Sequence, residues 1–138
     1  MVKIYYRMRR PGWLLMKWMS PEAVFSKVFS TSSDVWSFGV LMWEIFTIGQ
    51  PPFGHLFPLE FFDLLRRVLI HPKPVFASDH IYATVMVPCL KYRPEDRPCF
   101  AELRESLESL LSATVNVGGD SDADSGKLPF GLASFLLD

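Results

Sequence analysis

The amino-acid sequence predicts a mainly α-helical domain, and three observations carry that prediction. A segment at about 33–47 is apolar on nearly every helical face, later segments carry apolar stripes of helical period, and no stretch alternates convincingly enough to read as a strand. The chain has 138 residues, 49% of them hydrophobic and 14% aromatic, which suits one domain with a sizeable core and excludes a disordered chain. Its formal net charge is −1, so there is no basic excess to displace counterions from nucleic-acid phosphates.

Taken in order, the chain opens on a basic arm. Residues 1–20 carry Lys3, Arg7, Arg9, Arg10 and Lys17 and no acid. Thr31-Ser32-Ser33-Asp34 has the form of a capping box, with Asp34 suited to a helix N-terminus. Val35, Trp36, Phe38, Val40, Leu41, Met42, Trp43, Ile45 and Phe46 follow, and Gly49 reads as the stop. A helix so apolar must be buried on most sides, which puts Trp36, Phe38 and Trp43 in the core.

Residues 50–54, with two prolines and a glycine, read as a loop, and Pro58 suits the first position of a second helix. Phe61, Phe62, Leu64, Leu65, Val68 and Leu69 form its stripe, with Asp63, Arg66 and Arg67 opposite. Residues 71–78 read as extended. A third helix starts at Ser78 or Asp79 and carries Ile81, Tyr82, Val85 and Met86, and Pro88 is expected to bend or end it. After a charged loop at 92–98, a fourth helix sets Phe100, Leu103, Leu107, Leu110 and Leu111 against Glu102, Arg104, Glu105 and Glu108. Arg104 and Glu108 make an i,i+4 pair there. Residues 112–138 read as an acidic linker and a short apolar tail at 128–137.

Several chemistries drop out. Cys89 and Cys99 match no zinc spacing and read as two reduced, half-buried thiols; His55, His71 and His80 are scattered, so no metal site is expected. The glycines at 49 and 54 have P-loop spacing but no Lys-Ser/Thr follows, and two prolines remove amides that would cradle phosphate. No apolar run approaches the roughly 18 residues of a membrane helix, the start does not read as a signal peptide, and the chain is expected to be cytoplasmic.

The most informative feature is a set of phrases in fixed order. These are Lys17-Trp18-Met19-Ser20-Pro21-Glu22, then Ser33-Asp34-Val35-Trp36-Ser37-Phe38-Gly39, then Cys89 followed by Pro94-Glu95-Asp96-Arg97-Pro98. With Trp43-Glu44-Ile45 and Thr47-Ile48-Gly49 they closely resemble the C-terminal lobe of protein tyrosine kinases, over about residues 5–111. Ser20-Pro21-Glu22 matches the A-P-E element that closes a kinase activation segment. Tyr5-Tyr6-Arg7, with Gly12, Leu14 and Lys17-Trp18, is similar to the activation loop of insulin-receptor-like receptor tyrosine kinases.

The resemblance implies a fold: the helical C-terminal lobe of a protein kinase, built around the buried 33–47 helix and incomplete without the N-terminal lobe. Residues 1–20 would be the end of the activation segment and the substrate loop, and 21–111 the helical core. Tyr5 and Tyr6 become phosphorylation candidates, because phosphate beside Arg7, Arg9 and Arg10 can order a loop. Leu14, Leu15, Met16, Lys17, Trp18 and Met19 become the substrate loop. Glu22 and Arg97 become a structural ion pair, a task that suits the fork of a guanidinium. Asp34 becomes a helix cap and the anchor of the catalytic loop. Four residues depart from the pattern: Leu15 in place of a usual Pro, Val68 in place of a common Gly, Leu90 in place of Trp, and Pro88 within a helix.

Phosphoryl transfer in this family needs a Gly-rich loop, a strand Lys, H-R-D and D-F-G, and none of these phrases occurs in residues 1–138. No catalytic, cofactor-binding or metal-binding residue is therefore assigned, and the chain alone is expected to be catalytically incompetent. By resemblance, the full-length parent is a transmembrane receptor tyrosine kinase that uses Mg-ATP to phosphorylate protein tyrosine in signalling. This part would sit on the cytoplasmic side, and its partners would be the N-terminal lobe, protein substrates and signalling proteins. The alternative is a non-catalytic, kinase-like helical module for protein–protein interaction.

Overall fold

The computed structural model describes residues 12, 14–67 and 71–117. Among them the structure is helical and contains no strand. The first element is a 3-10 turn at Leu15–Trp18. Six α-helical segments follow: α1 (Pro21–Ser26), α2 (Thr31–Phe46), α3 (Pro58–Arg66), α4 (Asp79–Ile81), α5 (Val87–Cys89) and α6 (Phe100–Val117). A π-helical turn, Tyr82–Met86, joins α4 to α5, and a 3-10 turn, Pro94–Asp96, precedes α6.

Helix α2 begins earlier than its sequence suggests. Its cap is Ser30, whose Oγ accepts the Ser33 amide at 3.3 Å while the Ser33 Oγ accepts the Ser30 amide at 2.7 Å. The reciprocal pair is thus Ser30 and Ser33, and the expected cap at Asp34 is corrected. Two small hydroxyls close the box at shorter range than a Thr–Asp pair one residue later, which leaves Asp34 an exposed acid of the first turn. The other end also differs by one residue. Ile48, at φ 58°, takes the left-handed position; its amide donates to the Ile45 carbonyl and that of Gly49 to the Glu44 carbonyl. This is the two-bond closure of a Schellman motif, with Gly49 following the turn rather than making it.

Two faces of α2 feed two apolar clusters. Val35 and Met42 pack with Ala77, Val85, Met86, Cys89 and Leu103, against which Phe38, Phe46, Leu107 and Leu110 are half-buried. Trp36 and Val40 pack with Val24, Phe61, Leu65 and Leu90, with Met16, Trp18, Met19 and Phe53 around them. Trp36 and Trp43 are buried as expected and Phe38 is half-buried. The helix therefore serves as the wall shared by both halves of the core.

Gly39 is what lets the second wall come close. A Cβ there would lie 2.6 Å from the Cys89 Cβ and 3.1 Å from Leu90 Cδ2. Leu90 is 2% exposed and fills this contact. Pro88 acts as its chemistry requires. It supplies no amide, and its ring would press on the carbonyl four residues back; the helix widens into the π turn, with the Val87 amide donating to the Tyr82 carbonyl, and ends after Cys89. Pro58 holds the first position of α3 and Ser78 caps α4 through the Ile81 amide at 3.2 Å.

Two further expectations are corrected. Helix α6 runs through Val117, so its last turns occupy 112–117, where a linker was expected. Ser112 and Thr114 are accommodated within it by turning their hydroxyls onto the carbonyls four residues back, at 2.9 Å each. The two thiols are also unlike: Cys89 is wholly buried and Cys99 exposed, both unpaired. Arg104 and Glu108 do pair at 2.8 Å. Val68 and the 118–138 region, including the 128–137 tail, lie outside the described residues.

Candidate functional site

The region singled out by the sequence phrases lies where residues 14–22 cross the N-terminal part of α2. The Lys17 side chain turns inward: the residue is 5% exposed and its Nζ donates to the Gly54 carbonyl at 2.6 Å. Trp18 lays its indole against the core and donates from Nε1 to Glu44 Oε2 at 3.0 Å, while its carbonyl accepts from Ser37 Oγ at 2.8 Å. Met16 and Met19 are half-buried. Leu14 and Leu15 stay 49% and 44% exposed, so the segment is anchored by its second half and presents its first. Tyr5 and Tyr6 lie outside the described residues.

Ser20 then caps α1, accepting the Ala23 amide, and Pro21 takes its first position. This fixes Glu22 in the first turn, pointing at Arg97 across 75 residues of sequence. The contact is bidentate: Arg97 Nη1 meets Glu22 Oε1 at 2.7 Å and Nη2 meets Oε2 at 2.9 Å. The guanidinium side chain is fully buried, and its remaining donors reach three carbonyls. These are Lys91 from Nε at 2.7 Å, Ser32 from Nη1 at 2.9 Å and Tyr92 from Nη2 at 2.9 Å. It also lies over the Trp36 ring, 5.1 Å from its centroid. Burial pushes the Glu22 carboxyl upward, but the hydrogen bonds from Arg97, from its own backbone amide and from Ser20, with the Arg97 charge, together outweigh it and hold the group below its ordinary value.

Arg97 thus joins α1, the start of α2 and the loop before α6 in one side chain. A groove of about 320 Å³ opens at this junction, lined by Glu22, Ser26, Arg93 and Glu95 among others, and a separate shallow groove of about 250 Å³ is lined by Met16, Val24, Phe25, Lys27, Phe62 and Arg66. Arg66 sits over the Phe25 ring, 5.0 Å from its centroid, so the groove is an apolar floor with two cations at its rim. Among the described residues, no three His, Cys, Asp or Glu side chains come together to hold a metal ion.

Comparison with known proteins decides the family. The model described as protein tyrosine and serine/threonine kinase matches residues 1–107. The chain belongs to the protein kinase family. It is 43% identical over 110 residues, 80% of its length, to fibroblast growth factor receptor 1 of Dugesia japonica, of which that stretch is 13%. It is 47% identical over 107 residues, 77% of its length, to a vascular endothelial growth factor receptor kdr-like protein of Danio rerio, of which that is 8%. The corresponding match to vascular endothelial growth factor receptor 1 of Mus musculus is 45%. The chain spans about a tenth of the length of these curated relatives. It is a kinase-domain stretch similar to receptor tyrosine kinases; the look of the insulin-receptor group carries over at the level of that wider class.

The mainly α lobe expected from the phrases is the lobe observed. The kinase stretch also holds groups that sequence reasoning passed over. Glu44, Ser37 and the Gly54 carbonyl hold the 14–19 segment, and Ser32, Lys91 and Tyr92 contribute only backbone oxygens, which no motif marks. Glu44 alone had a signal, being the acid that interrupts the apolar run of α2 beyond its first turn.

Proposed function

We propose that this stretch builds the substrate-facing and load-carrying part of a protein tyrosine kinase domain whose full-length parent is a membrane receptor with this part on the cytoplasmic side. The anchored 14–19 segment supports the reading: Lys17 and Trp18 are tied down while Leu14 and Leu15 remain open to a peptide. In that role Leu14–Met19 form the wall against which a tyrosine-bearing substrate rests. The Glu22–Arg97 lock holds the wall on the helical core. In the same reading Asp34, exposed at the start of α2, receives backbone amides of a catalytic loop from elsewhere in the parent. Tyr5 and Tyr6 are proposed as phosphate acceptors upstream of the wall.

The parents of such stretches use Mg-ATP, and the residues described here do not fit it. Among the described residues no three His, Cys, Asp or Glu side chains gather to hold a metal ion, and the groove at the lock is lined by Glu22, Arg93 and Glu95, whose charges are already paired with Arg97 and with each other. In this reading the described residues supply none of the groups that act on nucleotide. Two measurements test the reading. Mg-ATP is expected to leave the melting temperature of the 138-residue chain unchanged, and a clear magnesium-dependent rise overturns that part. Residues 14–97 exchanged into an active receptor tyrosine kinase are expected to keep tyrosine phosphorylation, and a folded but inactive exchange overturns the rest.

A further inference from the structure

His71 lies in none of the kinase phrases, yet it sits at the meeting point of three elements. The residue is 7% exposed; its ring is stacked on Trp43 of α2 with centroids 4.3 Å apart, and it meets the Phe53 ring of the preceding loop at a tilt of 53° with centroids 4.2 Å apart. Its carbonyl accepts the Tyr82 hydroxyl at 2.8 Å, and the carbonyl of Pro72 beside it accepts the Trp43 indole N–H at 2.9 Å. Ring nitrogen Nε2 is buried and has no hydrogen-bond partner. Phe53 is followed by Gly54, whose carbonyl receives the Lys17 ammonium, so the same loop that leans on His71 holds the 14–19 segment.

We propose that His71 is a positioning residue whose neutral ring clamps the 50–54 loop, and through Lys17 the 14–19 segment, and that protonation of the ring releases both. The link is mechanical and holds whatever the 14–19 segment binds.

The surroundings leave a proton on this ring uncompensated. From α2 the ring meets the Trp43 indole, from the loop the Phe53 ring, and the Tyr82 phenol is engaged on the carbonyl of His71 itself. Of the charges on the elements around it, Glu44 is bonded to Trp18, Lys17 to Gly54, Lys73 to Asp79, Asp63 to Arg67 and Glu60 to the Phe57 amide, while Asp34, His55 and His80 are exposed. Val68, Leu69 and Ile70, which precede it in sequence, carry no ionisable group. Burial alone lowers its pKa, from 6.5 to about 4. The released ring recovers its ordinary value, so the open form binds the proton that the closed form refuses, and opening becomes easier as pH falls from about 6.5 toward 4.

Amide hydrogen exchange on the 138-residue chain tests this, corrected for the intrinsic pH dependence of exchange. Between about pH 7.5 and pH 5, opening of segments 14–19 and 50–57 is expected to rise about 30-fold, while that of 100–110 in α6 changes little. His71→Phe and His71→Met, which keep an apolar filler of similar size, should abolish the rise; His55→Ala and His80→Ala, at exposed positions, should keep it. The proposal is overturned if the α6 segment opens by the same factor, or if either filler variant retains the acid response. An NMR titration placing the His71 ring of the unaltered chain near 6.5 also overturns it, and needs no variant to fold.

Discussion

Arg97 carries five N–H donors on a charge that the core cannot hydrate, and each of the five has an oxygen within 2.9 Å. A buried charge so matched is tolerated, whereas half of such a pair is not. Glu22→Gln or Arg97→Ala is therefore expected to lower the unfolding free energy by about 3–5 kcal/mol in urea titration. Arg97→Lys, with a point charge in place of a fork, should recover little of it; near-complete recovery would show that charge alone, not geometry, makes the joint. At Ile48 the sign is reversed. A β-branched residue at φ 58° and 70% exposed is strained and gains little from burial. Ile48→Asn is expected to stabilise the chain by about 1 kcal/mol, read from the same titration. A loss would mean that the side chain makes a contact worth more than the strain.

At the level of elements, α2 and α5 approach closely at Gly39. With a Cβ at position 39 only 2.6 Å from that of Cys89, Gly39→Ala must push the two helices apart. About 1–3 kcal/mol of destabilisation is expected, with far-ultraviolet helicity retained, since alanine favours helix locally. An unchanged midpoint would mean that the α5 segment yields freely. Sequence reading found most of these elements because their signals are local. Pro58, Ser78 and the stripe of α6 each act within a turn or two. It misplaced the ends of α2 by a residue or so because neighbouring hydroxyls compete for one cap, and because either Ile48 or Gly49 can follow Thr47 into a turn. Which wins depends on how the backbone leaves the core. It stopped α6 early because small polar residues look like a linker, yet a helix already anchored by Leu103 continues through them.

The whole molecule should show a stability plateau bounded on both sides by buried groups. His71 and Glu22 have folded pKa values below their ordinary ones, so the stability each contributes is present above the unfolded pKa and lost as pH falls. Burial pushes the Cys89 thiol from 9.0 up to about 12, so its contribution is present below 9.0 and lost as pH rises toward 12. The unfolding midpoint is expected to be flat between about pH 6.5 and 9 and to fall outside that range. His71→Phe should remove the upper part of the acid limb and leave the alkaline limb intact; a curve still falling from pH 6.5 in that variant would assign the acid limb to other groups.

The sequence by itself determined the helical class, the buried α2 and the family phrases, which rest on local periodicity or on residue type and order; the Glu22–Arg97 pairing followed only from the resemblance those phrases carry. The tertiary structure alone decided which backbone oxygens complete the Arg97 site, that Lys17 turns inward to Gly54, and that His71 among three scattered histidines is the buried one. Those outcomes depend on solvent exclusion and on distances between segments far apart in the chain. A carbonyl or an imidazole acquires its energetic meaning only once packing has removed the water around it.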